Sequence, residues 1–232
     1  MRRIIWLCLW ALCACTLGYN TGGIQQVSGQ VSEDPERAEE IFFQVLTDMR
    51  PVAVRECLNR RQDRLCEFVV IVDLDPRSPP NAFQSQTDDG QPILTVTASM
   101  IASFQNSDEL AFVMAHEVSH HILQHLERQN EAIEASAELY ARREAERGGS
   151  SDDIRRAQQI GARIGAQTMS RDFELEADRL GTVITAQSGY DPRIGARYFQ
   201  RLPEPGDSFL STHPANATRQ QLVEQTAREF GL

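Results

Sequence analysis

His116, Glu117 and His120, in the order HEVSH, set two imidazoles four residues apart with a carboxylate beside the first. On a helix, positions i and i+4 share a face, so both rings can reach one cation. Zinc suits such a pair, since it accepts nitrogen and oxygen ligands in a tetrahedron. Glu117 projects about a quarter turn away, where it could take a proton from bound water without ligating the ion. Four of the five histidines of the chain fall between His116 and His125. His121 and His125 form a second i, i+4 pair without an interposed glutamate, and read as a solvated or metal-flanking face directed away from the first pair.

A catalytic zinc takes three protein ligands and leaves a fourth position for water. SRDFELEADRLG, residues 170–181, offers the third. Glu174 and Asp178 are again i, i+4 and can both face the first helix. Glu174 would ligate, while Asp178 would accept an N–H from a ligand imidazole and fix its orientation. Glu176 falls on another face and reads as solvated. Taken alone, the stretch could equally be a charged helical stripe.

Elements to carry these groups follow from pattern. A helix is predicted from Asp34 as N-cap, with Pro35 at its first position, to about Met49. EFVVIVD (67–73) and PILTVTA (92–98) read as strands rich in β-branched residues, and the turn-rich LDPRSPPNAFQSQTDDGQ between them as a loop. Leu110, Val113, Met114, Val118, Ile122 and Leu126 recur at helical spacing from about Ser107, and the pattern runs on to Arg147 before GGSSDD breaks it. Further helices are predicted at 153–168, 171–187, 193–201 and 216–229. The fold class is α+β, mostly helical with a small β-sheet. Segment 146–170, with Gly161 and Gly165, fits either a mobile flap or a tightly packed helix.

The chain has 232 residues, 41% hydrophobic and 24% charged, which suits one domain of ordinary size. A net charge of −10 speaks against nucleic acid and against docking on anionic lipid through a basic surface. Arg2 and Arg3 followed by IIWLCLWAL read as a signal peptide over residues 1–14. LCAC, ending at Cys15, resembles a bacterial lipobox, with Cys15 as the lipidated residue and Thr16 matching the outer-membrane sorting pattern. Residues 15–33 then comprise that cysteine and a flexible tether, and 34–232 the folded domain. An ordinary cleaved signal, giving a soluble periplasmic protein, is the alternative. Of the five cysteines, Cys8 and Cys13 leave with the signal, and Cys57 and Cys66 are an even pair suited to a disulfide in an oxidising compartment.

ELAFVMAHEVSHHILQH (109–125) followed by FELEADRLG (173–181), with NAF (81–83), GYDP (189–192) and STHP (211–214), resembles peptidase family M48, the gluzincins, in their BepA-like periplasmic branch and in a single-domain lipoprotein form. The resemblance spans roughly residues 36–230. It implies a zincin-like fold, one zinc ion per chain, His116, His120 and Glu174 as ligands, Glu117 as general base, and Asp178 as the aspartate of the family's ExxxD motif. His213 matches a histidine near the metal that either assists the developing oxyanion or occupies the open metal position; a turn histidine is the plainer reading. The implied activity is a zinc metalloendopeptidase acting on misfolded or stalled envelope polypeptides in protein quality control, at the periplasmic face of the outer membrane and near its assembly machinery. Substrate would lie extended along the strand PILTVTA or its neighbour. A chaperone or assembly factor with a mostly silent zinc site, or a metal-free helical lipoprotein, are the alternatives.

Overall fold

Helix α1 (Pro35–Arg60) runs eleven residues beyond the expected end at Met49 and passes through Pro51. Its apolar face explains the extension. Val45, Met49, Val52, Ala53 and Cys57 continue the helical spacing and are all buried, so packing outweighs the hydrogen bond that Pro51 forgoes. The structure, a computed structural model, describes residues 35–61, 63, 65–168, 170–203 and 214–232. The signal segment 1–14, Cys15 and its tether, the N-cap Asp34, and His213 lie outside the described residues.

Strands β1 (Val69–Asp73), β2 (Ala82–Gln86) and β3 (Pro92–Thr97) form one sheet in the order β1-β3-β2. β2 arises inside the stretch read as a loop. Its sequence AFQSQ carries little β-branched content, and it is ordered by antiparallel pairing with β3, Ala82 opposite Val96 and Gln86 opposite Pro92. β1 pairs parallel to β3 on the other side. PILTVTA is therefore the central strand and has no free edge; β1 and β2 are the edges. Burial agrees, since Leu94 and Val96 are 1% exposed while Phe83 of β2 is 43% exposed.

Helix α2 (Ala98–Ser103) is capped by the Thr97 side chain and leads into α3 (Ser107–Ile122). Asn106 caps α3, its side-chain oxygen accepting from the Glu109 N–H at 3.0 Å. α3 is the central rod of the molecule: Leu110, Met114, Val118 and Ile122 are 0–2% exposed and pack against α1 and the sheet. The single helix expected to reach Arg147 is two. Gln124 takes left-handed backbone angles (φ 58°, ψ 38°), and α4 (His125–Glu146) sets off in a new direction. Apolar periodicity runs across this break because Ile122 and Leu126 keep helical spacing although only Ile122 enters the core, which is why the sequence hides it.

α5 (Ser151–Thr168) folds back along α4 as a helical hairpin. Gly161 and Gly165 make that close approach feasible: a Cβ at Gly165 would run into the backbone carbonyl of Ala132, and one at Gly161 into that of Ser136. Between flap and packed helix, residues 151–168 are a packed helix. α6 (Ser170–Gln187) then crosses α3. A one-turn α7 (Pro192–Gly195) and a 3₁₀ turn (Ala196–Arg201) stand where one helix was expected, and α8 (Asn216–Phe230) closes the chain.

A disulfide joins Cys57 at the end of α1 to Cys66 before β1, with a Cα–Cα distance of 5.6 Å. The loop it closes carries Arg61, which is 4% exposed and donates to the His121 carbonyl in the last turn of α3 at 2.6 Å. Asp63 and Glu127 neutralise the guanidinium at 2.5 and 3.2 Å. The hydrogen bond from Arg61 holds the Asp63 carboxyl down at about 2. Gly165→Ala is expected to lower the unfolding free energy by about 1–3 kcal/mol, because overpacking against the α4 backbone outweighs the roughly 1 kcal/mol gain in helix propensity; equilibrium denaturant unfolding measures the sign.

Candidate metal centre

Three ligand-type atoms converge where α3 crosses α6. Nε2 of His116 lies 3.0 Å from Nε2 of His120, and these nitrogens lie 3.6 Å from Oε2 and Oε1 of Glu174 respectively. His116, His120 and Glu174 are the group, among the described residues, whose ligand atoms all fall within 4.8 Å of one another. A tetrahedral ion with bonds of about 2.0–2.1 Å sets its ligand atoms roughly 3.3–3.4 Å apart. The observed spacings of 3.0 to 3.6 Å bracket that edge, so the donor set fits a small divalent cation of zinc's type.

The helices come this close because the seam between them is made of small residues. Ala115 and Ala177 are fully buried, and Gly181 lies against the His116 backbone, where even a Cβ would sit 3.2 Å from Cα and N. Imidazoles on α3 and the carboxylate on α6 thereby meet.

Behind His116 stands Asp178, fully buried, with Oδ1 2.9 Å from Nδ1. That contact fixes the ring with its proton on Nδ1 and its lone pair on Nε2, toward the ligand cluster. Arg219 of α8 clamps Asp178 through Nε and Nη2, both at 2.7 Å, and its Nη2 also lies 3.4 Å from Glu174 and 3.3 Å from Nδ1 of His116. Its guanidinium rests 4.0 Å from the centroid of the Phe199 ring. Burial works against a charged His116, but the hydrogen bond and charge of Asp178 outweigh it and raise the pKa. No motif in the sequence marks Arg219. It shares an i, i+4, i+7 face with Val223 and Thr226, all buried, so a basic residue on the apolar stripe of α8 was the available signal.

Glu117 sits on the wall of the same cleft with His120, Glu174, Phe83 and Gln84. The backbone N–H of Gln84 on edge strand β2 is directed at its carboxylate. Burial pushes the Glu117 carboxyl up to about 7, the His116 charge opposing and the Glu174 charge adding to the rise. For His120, burial and the neighbouring His116 push the pKa down to about 2, so its ring stays neutral and its lone pair available.

His121 and His125 are not a solvated pair. The break at Gln124 separates them: His121 is 1% exposed and its Nε2 meets the Leu65 carbonyl at 2.6 Å, while His125 is 3% exposed and packs against His120. Glu176 is not a free solvated carboxylate either. Arg128 of α4 binds it at 2.6 and 3.2 Å, holding its pKa below the usual glutamate range. The contacts of His125 and Glu176 have one cause, the turn at the α3–α4 junction, which brings His125 and Arg128 to Glu176 of α6; His121 precedes that turn and is buried against Leu65 and Phe68.

With a folded pKa near 7 against an ordinary 4.5, Glu117 binds its proton more tightly in the folded, metal-free chain. Its contribution to stability is complete below pH 4.5 and is lost as pH rises through 7. Metal-free Glu117→Gln, which carries no charge at any pH, is therefore expected to gain on the wild type by about 3 kcal/mol between pH 4 and pH 8; parallel chemical unfolding at the two pH values measures the difference.

The model of Peptidase family M48 matches residues 49–227. The mitochondrial metalloendopeptidase OMA1 of Arabidopsis thaliana is 38% identical over 60 residues, covering 24% of this chain and 12% of that protein. A putative beta-barrel assembly-enhancing protease of Vibrio cholerae is 26% identical over 260 aligned positions, 99% of this chain and 52% of the relative. The beta-barrel assembly-enhancing protease of Yersinia pestis is 31% identical over 132 residues, 49% of this chain and 26% of the relative. The chain thus spans about half the length, or less, of these relatives. The family match runs from the middle of α1 into α8 and so takes in every element that meets at the α3–α6 crossing: the chain belongs to peptidase family M48.

Proposed function

We propose that the chain is a zinc-dependent endopeptidase, with His116, His120 and Glu174 as ligands and Glu117 as general base. The observation that carries this reading is the convergence of three ligand atoms beside a glutamate that faces the same cleft. Bound zinc would supply Lewis acidity, bringing the pKa of a water toward neutrality and polarising the scissile carbonyl. Glu117 takes the proton of the attacking water and returns it to the leaving nitrogen. Its buried setting and its pKa near 7 suit a group that must both accept and release a proton near neutral pH. Asp178, locked by Arg219, keeps His116 in the tautomer whose lone pair faces the ion.

Substrate would lie along β2, the sheet edge bordering the cleft, with Phe83 and Gln84 beside it. His213, six residues before Arg219, is read as a further donor to the developing oxyanion. The names of the Vibrio and Yersinia relatives support substrates among envelope polypeptides and a role in outer-membrane protein quality control. With it go residues 34–232 as one catalytic domain, removal of residues 1–14, a lipid on Cys15 and an outer-membrane, periplasm-facing location. None of the described helices is long and apolar enough to cross a membrane.

Glu117→Gln is expected to reduce hydrolysis of an unfolded casein substrate by at least 10³-fold while retaining one zinc per chain by metal analysis. Activity within tenfold of the wild type would overturn the assigned base. Equal rescue in cells by both proteins would instead favour an assembly factor that binds without cutting.

A further inference from the structure

The two imidazoles of the HEVSH pair are backed differently. His116 leans directly on a carboxylate, whereas behind His120 stands another imidazole. Nδ1 of His120 lies 2.8 Å from Nδ1 of His125, and Nε2 of His125 lies 3.2 Å from Oε2 of Glu176. Arg128 holds Glu176 through two nitrogens. Phe173 stacks on the His125 ring, centroids 4.3 Å apart and planes 10° apart, and the Arg128 guanidinium lies 4.4 Å from the centroid of that phenyl ring. The ring of His125 is thus gripped by a face contact and by both of its nitrogens.

Proton positions follow from valence. A cation in the ligand cluster takes the lone pair of His120 Nε2, so the proton of the neutral ring sits on Nδ1 and donates to His125. His125 must then offer a lone pair at Nδ1 and carry its own proton on Nε2, where Glu176 accepts it. The reverse arrangement would turn a protonated Nε2 of His120 toward the cation and a lone pair of His125 toward a carboxylate. Both ends of the chain select the same tautomers.

The backbone is shaped for this contact. In an unbroken helix, residues five apart point about 140° away from each other, so His125 could not face His120. The left-handed Gln124, immediately before it, turns the chain so that it does. A non-glycine residue held in that region is uncommon, and such residues gather at functional sites.

The geometry points to His125 as a positioning residue: Glu176 and His125 form an imidazole relay that orients His120 and strengthens the electron donation of its Nε2. The inference rests on the zinc reading above. Partners of this kind change metal affinity by about 10–100-fold when removed.

Two variants separate the relay from simple packing. His125→Phe keeps an aromatic ring against Phe173 but removes both nitrogens. Glu176→Leu leaves His125 in place but ends the relay one residue earlier. Zinc affinity of the chain, read by competition with a chromophoric chelator, is expected to fall by about 10–100-fold in both, and the visible bands of the Co(II)-loaded protein to shift. Glu176→Gln, which keeps an acceptor for the His125 N–H, is expected to recover most of the loss. In the zinc-loaded wild type, ¹⁵N-edited NMR is expected to find His120 protonated on Nδ1 and His125 on Nε2. Affinities within twofold of the wild type in both His125→Phe and Glu176→Leu, or the opposite tautomers, would overturn the relay. A wild-type chain that binds no stoichiometric zinc overturns the metal reading, and the relay with it, and is recognised before any variant is compared.

Discussion

The crossing of α3 over α6 is the contact on which the rest of the molecule depends. Ligands on two separate helices can share one ion only if their backbones approach within a few ångströms, and the seam of Ala115, Ala177 and Gly181 allows that. A Cβ at Gly181 would press within 3.2 Å of the His116 backbone. The sheet, α1 and α8 serve this crossing in turn. α1 and β3 bury the back of α3, α8 delivers Arg219 to Asp178, and the disulfide-closed loop delivers Arg61 to the carbonyl end of α3.

Electrostatics at the crossing follow a repeated rule. Asp178 and Glu176 are each neutralised by an arginine through two nitrogens and offered to a histidine. A buried carboxylate without a counter-charge would take up a proton rather than remain ionised, and could not then fix an imidazole. Bidentate arginine keeps the charge on the carboxylate while leaving an oxygen lone pair free to accept from the ring. Among the described residues Glu117 has no such clamp, and burial raises its pKa. Arg128 thus holds the Glu176 carboxyl below the usual range while burial raises that of Glu117 toward neutrality, a division that burial and counter-charge impose on the same side-chain chemistry.

HEVSH and FELEADRLG carried the site in the sequence itself, because helical periodicity turns spacing into shared faces. The same arithmetic identified the start of α3 and placed α5, α6 and α8 to within a few residues, and an even pair of cysteines joined as a disulfide. The fold class, mostly helical with a small sheet, was equally legible. Features set by neighbours distant in the chain were not. β2 looks like a loop until β3 pairs with it, and Pro51 looks like a helix end until Val52, Ala53 and Cys57 are seen to be buried. The α3–α4 break hides because one glutamine in the left-handed region leaves no mark on the hydrophobic pattern.

What the sequence determined by itself was the candidate ligand residues and the helix faces that present them, since shared faces are local consequences of 3.6 residues per turn. Only the tertiary structure decided that Glu174 meets the two histidines, that Arg219 locks Asp178 from 41 residues away, and that His125 turns back onto His120. Such pairings depend on how closely helices pack and where the chain turns, and periodicity carries no information about either.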